Sequence, residues 1–386
     1  MKRSFSKTTV VLAGTALIAV TYGLVRLAYG LVLPDVQADL DLGAAAAGGI
    51  SAGASAMYCV GASVGFLVAA RVPRTLVVSA AGTAALGAIG VAVSPSAAVF
   101  GASAVLASAG AGLASPALVR IVARSVPSQD VPRTQTIVNS GTGPGLVAAG
   151  VLALVLLPEW RTAWLVSAAC AVVAGVAVLR ADHGDTAPED RATTGPRGKS
   201  LPPATWFRRH AGLLVAALLL GAGSAAVWNL GRAVLVDAGS GRTASVVAWI
   251  ALGVGGTAVA VTARWLDARP PRTAWTITVV AVALGTVGLG VGAAVLPVAL
   301  VACVVFGWGY TAATGALVAW TGAIDAEHAP SGTSMLFVTL VLGQAVGAAV
   351  AGAVVGQAGA AVTMLGAALV VAAGVPASRV RQDGVP

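Results

Sequence analysis

Two arginines lie where charge is expensive. Arg26 falls inside the apolar run 8–33 and Arg232 inside the run 211–236, and no other ionisable side chain sits well within an apolar run of the sequence. A charge at the centre of a bilayer-spanning helix costs about 2.5–3.5 kcal/mol on insertion scales, so such a residue is read first as functional. Counted from the outer end of its run, Arg26 is about 12 Å deep at 1.5 Å per helical residue. Arg232 lies shallower, about one turn before Asp237. Tyr22, Arg26 and Tyr29 are spaced i, i+4, i+7, and Trp228, Asn229 and Arg232 are spaced i, i+1, i+4. Each spacing predicts one helical stripe. A permanently charged guanidinium flanked by aromatic rings is an anion-pairing, ring-stacking surface. The bland alternatives are structural: Arg232 reaching the outer headgroups or pairing with Asp237 or Asp35, and Arg26 holding carbonyls of a broken helix.

The remaining polar side chains fall in few runs. All four tyrosines, Tyr22, Tyr29, Tyr58 and Tyr310, lie in the first, second and tenth, and the amides Asn139, Asn229 and Gln344 in the fifth, seventh and eleventh. Together with Trp228 and Trp308 these are the candidate substrate-binding residues. An interhelical hydrogen bond is the competing role for each amide, and packing for Trp308 and Tyr310. No acid or histidine is expected inside a run; His183, His210 and His328 are all assigned to loops on one side. No G-x-x-x-x-G-K-[ST] phosphate loop, catalytic triad or carboxylate pair is found, so neither ATP drive nor enzymatic chemistry is supported. Cys59, Cys170 and Cys303 show no metal or disulfide spacing and read as small core residues. No cofactor is implied.

The elements that must position these residues are legible in the composition. Of 386 residues, 58% are hydrophobic and 10% charged, with a mean hydropathy of +0.90. An ordinary soluble domain is about 25% charged, so a soluble enzyme and a disordered chain are both excluded. A lipid-spanning helix needs about 20 mainly apolar residues. Twelve such runs are found, at 8–33, 44–68, 75–93, 97–119, 134–157, 162–180, 211–236, 243–263, 274–295, 298–322, 331–356 and 358–376. The first continues too far to be a cleaved signal. Closely spaced glycines, such as Gly343, Gly347 and Gly352, favour a tight helix bundle. No alternating ten-residue strands are present, which excludes a β-barrel.

With the N-terminus in the cytoplasm, nineteen of the 23 Lys and Arg fall on the inside, and only Arg161 and Arg242 in outside loops. This bias predicts an even span count and cytoplasmic termini. The formal net charge of +9 is thus a topology signal, and no nucleic-acid partner is expected. Residues 181–210, rich in Pro, Gly and charge, read as a cytoplasmic linker between an N-terminal half (1–180) and a C-terminal half (211–386). The halves repeat: ARVPRT at 70–75 is matched by ARPPRT at 268–273, and Leu86-Gly87 by Leu284-Gly285 at the same offset of 198.

Six plus six spans, a central linker and an arginine-bearing loop after spans 2 and 8 resemble the major facilitator superfamily. LPDVQADLDLGAAAAG (33–48) is similar to that superfamily's junction of helices 1 and 2, and RLAYGLVLP (26–34) resembles a bacterial subgroup. The resemblance implies an all-α fold of twelve transmembrane helices in two pseudo-symmetric halves, with helices 1, 4, 7 and 10 lining a central cavity. It implies that Arg71, Arg74, Asp267, Arg269 and Arg272 belong to gating loops, although the first copy lacks the Gly and Asp of the usual G-x-L-x-D-R-x-G-R. NSGTGPGLVAAG (139–150) is weakly similar to the helix-5 signature of drug/proton antiporters, through Gly143-Pro144 alone. Arginines on helices 1 and 7 resemble the organic-phosphate exchangers in outline.

The expected function is secondary transport of a small organic solute, anionic or zwitterionic, across the cytoplasmic membrane by alternating access. The site is expected where the halves meet. The solute, the lipid and a coupling proton or counter-anion are the expected partners of a monomer. Drug or metabolite efflux by proton antiport, and a non-transporting receptor or scaffold, are the alternatives.

Overall fold

The computed structural model describes residues 2–182, 204–325 and 329–377. Most of the expected linker, together with His183 and His328, lies outside the described residues. Among those described the chain is helical throughout, with no strand: α1 (Lys2–Ile18), a π-helical stretch (Ala19–Leu27), α2 (Ala28–Leu40), α3 (Ala44–Val68), α4 (Pro73–Ala92), α5 (Ala97–Ser125), α6 (Val131–Asn139), α7 (Thr142–Leu156), α8 (Trp160–Ala181), α9 (Ala204–Asp237), α10 (Arg242–Asp267), α11 (Pro271–Gly292), α12 (Leu296–Ile324), α13 (Ala329–Ala372) and α14 (Gly374–Ala377).

Eleven segments of the described chain are long and apolar enough to cross a membrane, and the protein is a multi-pass membrane protein. The last of them, α13, contains two of the expected spans. Gly359 interrupts it at φ 80°, ψ 167°, a backbone geometry essentially reserved for glycine. The break falls within three residues of the boundary read from the sequence, so the twelve runs are accounted for.

Several helices outrun their apolar stretches. The first span continues through Pro34 to Leu40, α5 carries Arg120 and Arg124, and α9 begins at Ala204. Charge ends a lipid-facing run but not a helix, because the backbone bonds are internal whatever surrounds them. His210, expected in a loop, is therefore a helical residue two turns into α9. The fifth span is broken instead: α6 ends at Asn139 and α7 starts at Thr142. Pro144 has no N–H to donate to the Ser140 carbonyl, which accepts from Gly143 at 3.2 Å in place of the α-helical bond.

The chain divides into two compact units, residues 1–42 with 53–197, and residues 43–52 with 198–386. In the first, α7 lies against the π-helical stretch at backbone contact. A Cβ on Gly23 would stand 2.4 Å from the Gly145 carbonyl carbon, and one on Gly145 would stand 2.3 Å from the Ala19 oxygen. In the second, α9 and α13 touch in the same way. Cβ atoms on Gly221, Gly343 and Gly347 would meet the carbonyl oxygens of Leu340, Leu218 and Ala222 at 1.9, 2.1 and 1.9 Å. Small residues permit this approach, and dispersion between backbones takes the place of a hydrophobic drive that lipid cannot supply.

Gly347→Val should therefore abolish recovery of monodisperse protein after detergent extraction. Gly315→Ala, at a position with nothing within 4 Å, should leave the elution profile and the melting temperature unchanged; size-exclusion chromatography and thermal unfolding check the pair.

Candidate functional site

In the first unit the candidate residues gather on the π-helical stretch. The Tyr22 and Tyr58 hydroxyls are 2.9 Å apart, with their rings edge-on at 5.8 Å and 78°. The Arg26 guanidinium carbon lies 4.8 Å from the Tyr58 ring centroid. Tyr58 is buried and Arg26 is half-buried. The π-helical stretch and α3 thus bring together three of the candidate residues.

Tyr29 does not join them. Each residue of an i→i+5 helix turns through about 80° rather than the 100° of an α-helix. Tyr22 and Arg26 still share a face at four-residue spacing, but by residue 29 the register has rotated by roughly a quarter turn. Tyr29 is buried against Phe100 of α5, with centroids 6.0 Å apart, and Phe100 meets Trp160 of α8 edge-on at 5.9 Å. Asn139, at the end of α6, is exposed, and nothing in the first unit brings it to the Arg26 cluster.

The second unit holds an aromatic cluster that spacing only half revealed. Trp228 of α9 is edge-on to three rings: Trp249 of α10 at 6.1 Å, and Phe306 and Tyr310 of α12 at 5.5 and 5.2 Å. Phe306 and Tyr310 stack at 6.1 Å and 11°. Gln344 of α13 donates its amide N–H to the Tyr310 hydroxyl at 2.9 Å. The Trp228 and Trp249 indole N–H groups are both buried without a hydrogen-bond partner among the described residues. Asn229 donates to the Ala225 carbonyl of its own helix at 2.7 Å. Trp308 points elsewhere, its N–H donating to the Thr262 hydroxyl of α10 at 2.8 Å.

Arg232 is buried, 2% exposed. Its Nε donates to the Ser245 hydroxyl of α10 at 3.2 Å, and that hydroxyl donates to the Arg242 carbonyl at 2.8 Å. It does not reach out to headgroups past Asp237, which is itself exposed. Because α9 and α10 run antiparallel, Trp228 with Trp249 and Arg232 with Ser245 form successive rungs one turn apart. Trp249, Phe306 and Ser245 were missed because this pairing joins helices, and spacing along a single helix carries no trace of it.

The gating-loop residues are held by different means in the two copies. Arg74 donates to the Asp182 carbonyl oxygen at 2.7 Å and to its carboxylate at 3.3 Å, and Arg124 is ion-paired to the same carboxylate. Asp182, at the end of α8 and buried, supplies the acid that the first loop lacks. Arg71 is exposed. In the second copy Asp267 is exposed, Arg269 stacks over Trp265 at 4.1 Å, and Arg272 lies over Trp320 at 6.0 Å. Among the described residues no group of three or more metal-ligating side chains comes together, and the three cysteines are free thiols.

Solved structures share this fold. The nucleoside transporter NupG is similar over 98% of this chain and 100% of its own, at 14% identity and a TM-score of 0.76. A POT family transporter in complex with 5-aminolevulinic acid matches over 95% and 94%, at 12% identity and a TM-score of 0.75. A bacterial homologue of the human lysosomal transporter Spinster, inward-facing and unoccupied, matches over 97% of each chain at 13% identity and a TM-score of 0.71. Identities this low speak for the fold alone. No curated protein matches the sequence. Residues 15–325 match the family model described as Major Facilitator Superfamily, and with twelve apolar runs in two repeated halves the chain belongs to the major facilitator superfamily.

Proposed function

We propose that this protein is a secondary transporter that moves a small anionic or zwitterionic organic solute by alternating access, with Arg26 as the anion contact. One observation carries the reading: a half-buried guanidinium held over the Tyr58 ring, whose hydroxyl is tied to Tyr22. The ring brings no opposite charge to neutralise the guanidinium, whose planar fork of N–H donors matches a carboxylate or phosphate. The tyrosine pair offers rings to the rest of the solute. Taken by itself, the second unit holds a separate aromatic cluster, in which the buried Trp228 and Trp249 indole N–H groups are donors that an acceptor-rich ligand would satisfy. The 5-aminolevulinic acid of the POT family structure is an amino acid, hence a zwitterion, and NupG is a nucleoside transporter; both solutes are small and polar. Within this proposal the protein sits in a bacterial cytoplasmic membrane with both termini inside, as the basic loops indicate.

A thermal-shift panel on the purified protein tests the substrate class. A carboxylate- or phosphate-bearing solute at a hundred times its Kd should stabilise the protein by about 2.7 kcal/mol, and the shift should vanish in Arg26→Ala. Stabilisation by lipophilic cations that survives Arg26→Ala would overturn the anion reading in favour of drug efflux. A hit that gives no solute-dependent uptake in proteoliposomes would favour a receptor. For the same solute, Tyr58→Leu should weaken binding by roughly 2- to 30-fold, the range of a cation–π contact worth about 0.5–2 kcal/mol. Tyr58→Phe, which keeps the ring and loses the bond to Tyr22, should cost less; isothermal titration compares the two.

A further inference from the structure

His210 is fully buried in α9. Its imidazole lies flat on the Trp206 indole, with centroids 3.8 Å apart and planes within 13°. Nδ1 is 2.9 Å from the Trp206 carbonyl oxygen, and Nε2 is 3.0 Å from the Thr321 hydroxyl of α12. A carbonyl oxygen only accepts, so Nδ1 carries its hydrogen in every protonation state. That leaves Nε2 as the atom that gains or loses a proton. In the neutral ring Nε2 accepts from the Thr321 hydroxyl; in the cation it donates to the same oxygen, and the hydroxyl hydrogen swings away. Both states are hydrogen-bonded with every heavy atom in place, and the indole face beneath attracts the charged ring.

Three helices meet here. On α13, a Cβ added to Gly332 would stand 2.4 Å from the Thr321 hydroxyl and 2.9 Å from the Trp206 ring. Among the described residues, the charged groups in electrostatic reach of His210 are Asp325, just past the end of α12, and Arg209 on its own helix. Residues 329–332 of α13 include no titratable side chain, and Glu327 and His328 lie outside the described residues.

We propose that His210 is a proton-binding site at the junction of α9, α12 and α13, taking one proton from water at Nε2 in the range pH 5–8 where histidines switch. Thr321 and Trp206 are its positioning residues. Binding reverses the hydrogen bond to Thr321 and puts a positive charge between α9 and α12, so their packing becomes pH-sensitive. The link to solute movement rests on the transport reading; the protonation itself does not.

The test uses the full chain in nanodiscs without any solute, with the proton as probe. Nitrogen-15 spectra of histidine-labelled protein are recorded from pH 5 to 8, the three histidines being assigned with His210→Gln. The His210 ring should carry its hydrogen on Nδ1 when neutral and become charged within that range. Imidazolium quenches a stacked indole, so tryptophan fluorescence should fall on acidification, and this step should be lost in both His210→Gln and Trp206→Phe. A neutral ring with its hydrogen on Nε2, a ring uncharged across the range, or a fluorescence step unchanged in His210→Gln overturns the proposal. Where His210→Gln fails to fold, His183→Gln and His328→Gln identify the His210 signal by exclusion, and the spectra of the unmodified protein then decide the matter. A negative solute panel leaves this result standing, and a silent His210 leaves the transport reading standing.

Discussion

Within a hydrocarbon layer no water completes a hydrogen bond, so every polar group must be answered by protein. The backbone meets this constraint by closing into helices, and the short hydroxyls meet it locally. Thr21, Ser167, Thr278, Thr286 and Thr363 each donate to the carbonyl four residues earlier on the same helix. Such bonds hold nothing together between helices. Against that background, side chains that reach across to another helix mark places where the sequence has committed a polar group to tertiary structure, among them Tyr22 to Tyr58, Arg232 to Ser245, Trp308 to Thr262, Gln344 to Tyr310, and His210 to Thr321. Polar pairs of this kind are worth about 0.6–2 kcal/mol in membranes, too little to explain alone why a guanidinium is kept in an apolar run.

Legibility in the sequence follows the same division. Span number, the repeat and the break near residue 357 were readable because apolar length and loop charge are properties of the chain alone. The shared face of Tyr22 and Arg26 was readable because four-residue spacing keeps a face in both helix types. Tyr29 was misplaced because nothing in AVTYGLVRL announces a π-helical stretch, and the register changed inside it. Asp182 and Trp249 were missed because their partners lie far away in sequence, on other helices. His210 was assigned to a loop because Arg208 and Arg209 beside it look like an end, and α9 carries straight through them.

The fifth span shows how a backbone defect is accommodated between helices. Pro144 removes one donor, the helix restarts at Thr142, and Gly145 then comes to rest against Ala19, where the π-helical stretch begins. Two departures from α-helical geometry therefore face each other across one glycine contact. π-bulges concentrate at functional sites, and this one places Arg26 and Tyr22 on the surface that meets Tyr58. The arrangement has a physical logic. A helix that must turn two long side chains toward one neighbour while keeping backbone contact with another gains the needed rotation from the extra residue per ring.

The arginines of the first unit also divide by how they are held. Arg74 and Arg124 converge on the Asp182 carboxylate, an arrangement that uses the in-plane donors and neutralises charge. The Arg26 guanidinium carbon lies 4.8 Å from the Tyr58 ring centroid. An arginine clamped by an acid is spent on structure, because any other anion must displace the one already there. A ring attracts the cation through its quadrupole and brings no opposite charge to cancel it. Arg74 and Arg124 thus anchor the first unit through a carboxylate, while Arg26 of the same unit has an aromatic ring as its neighbour.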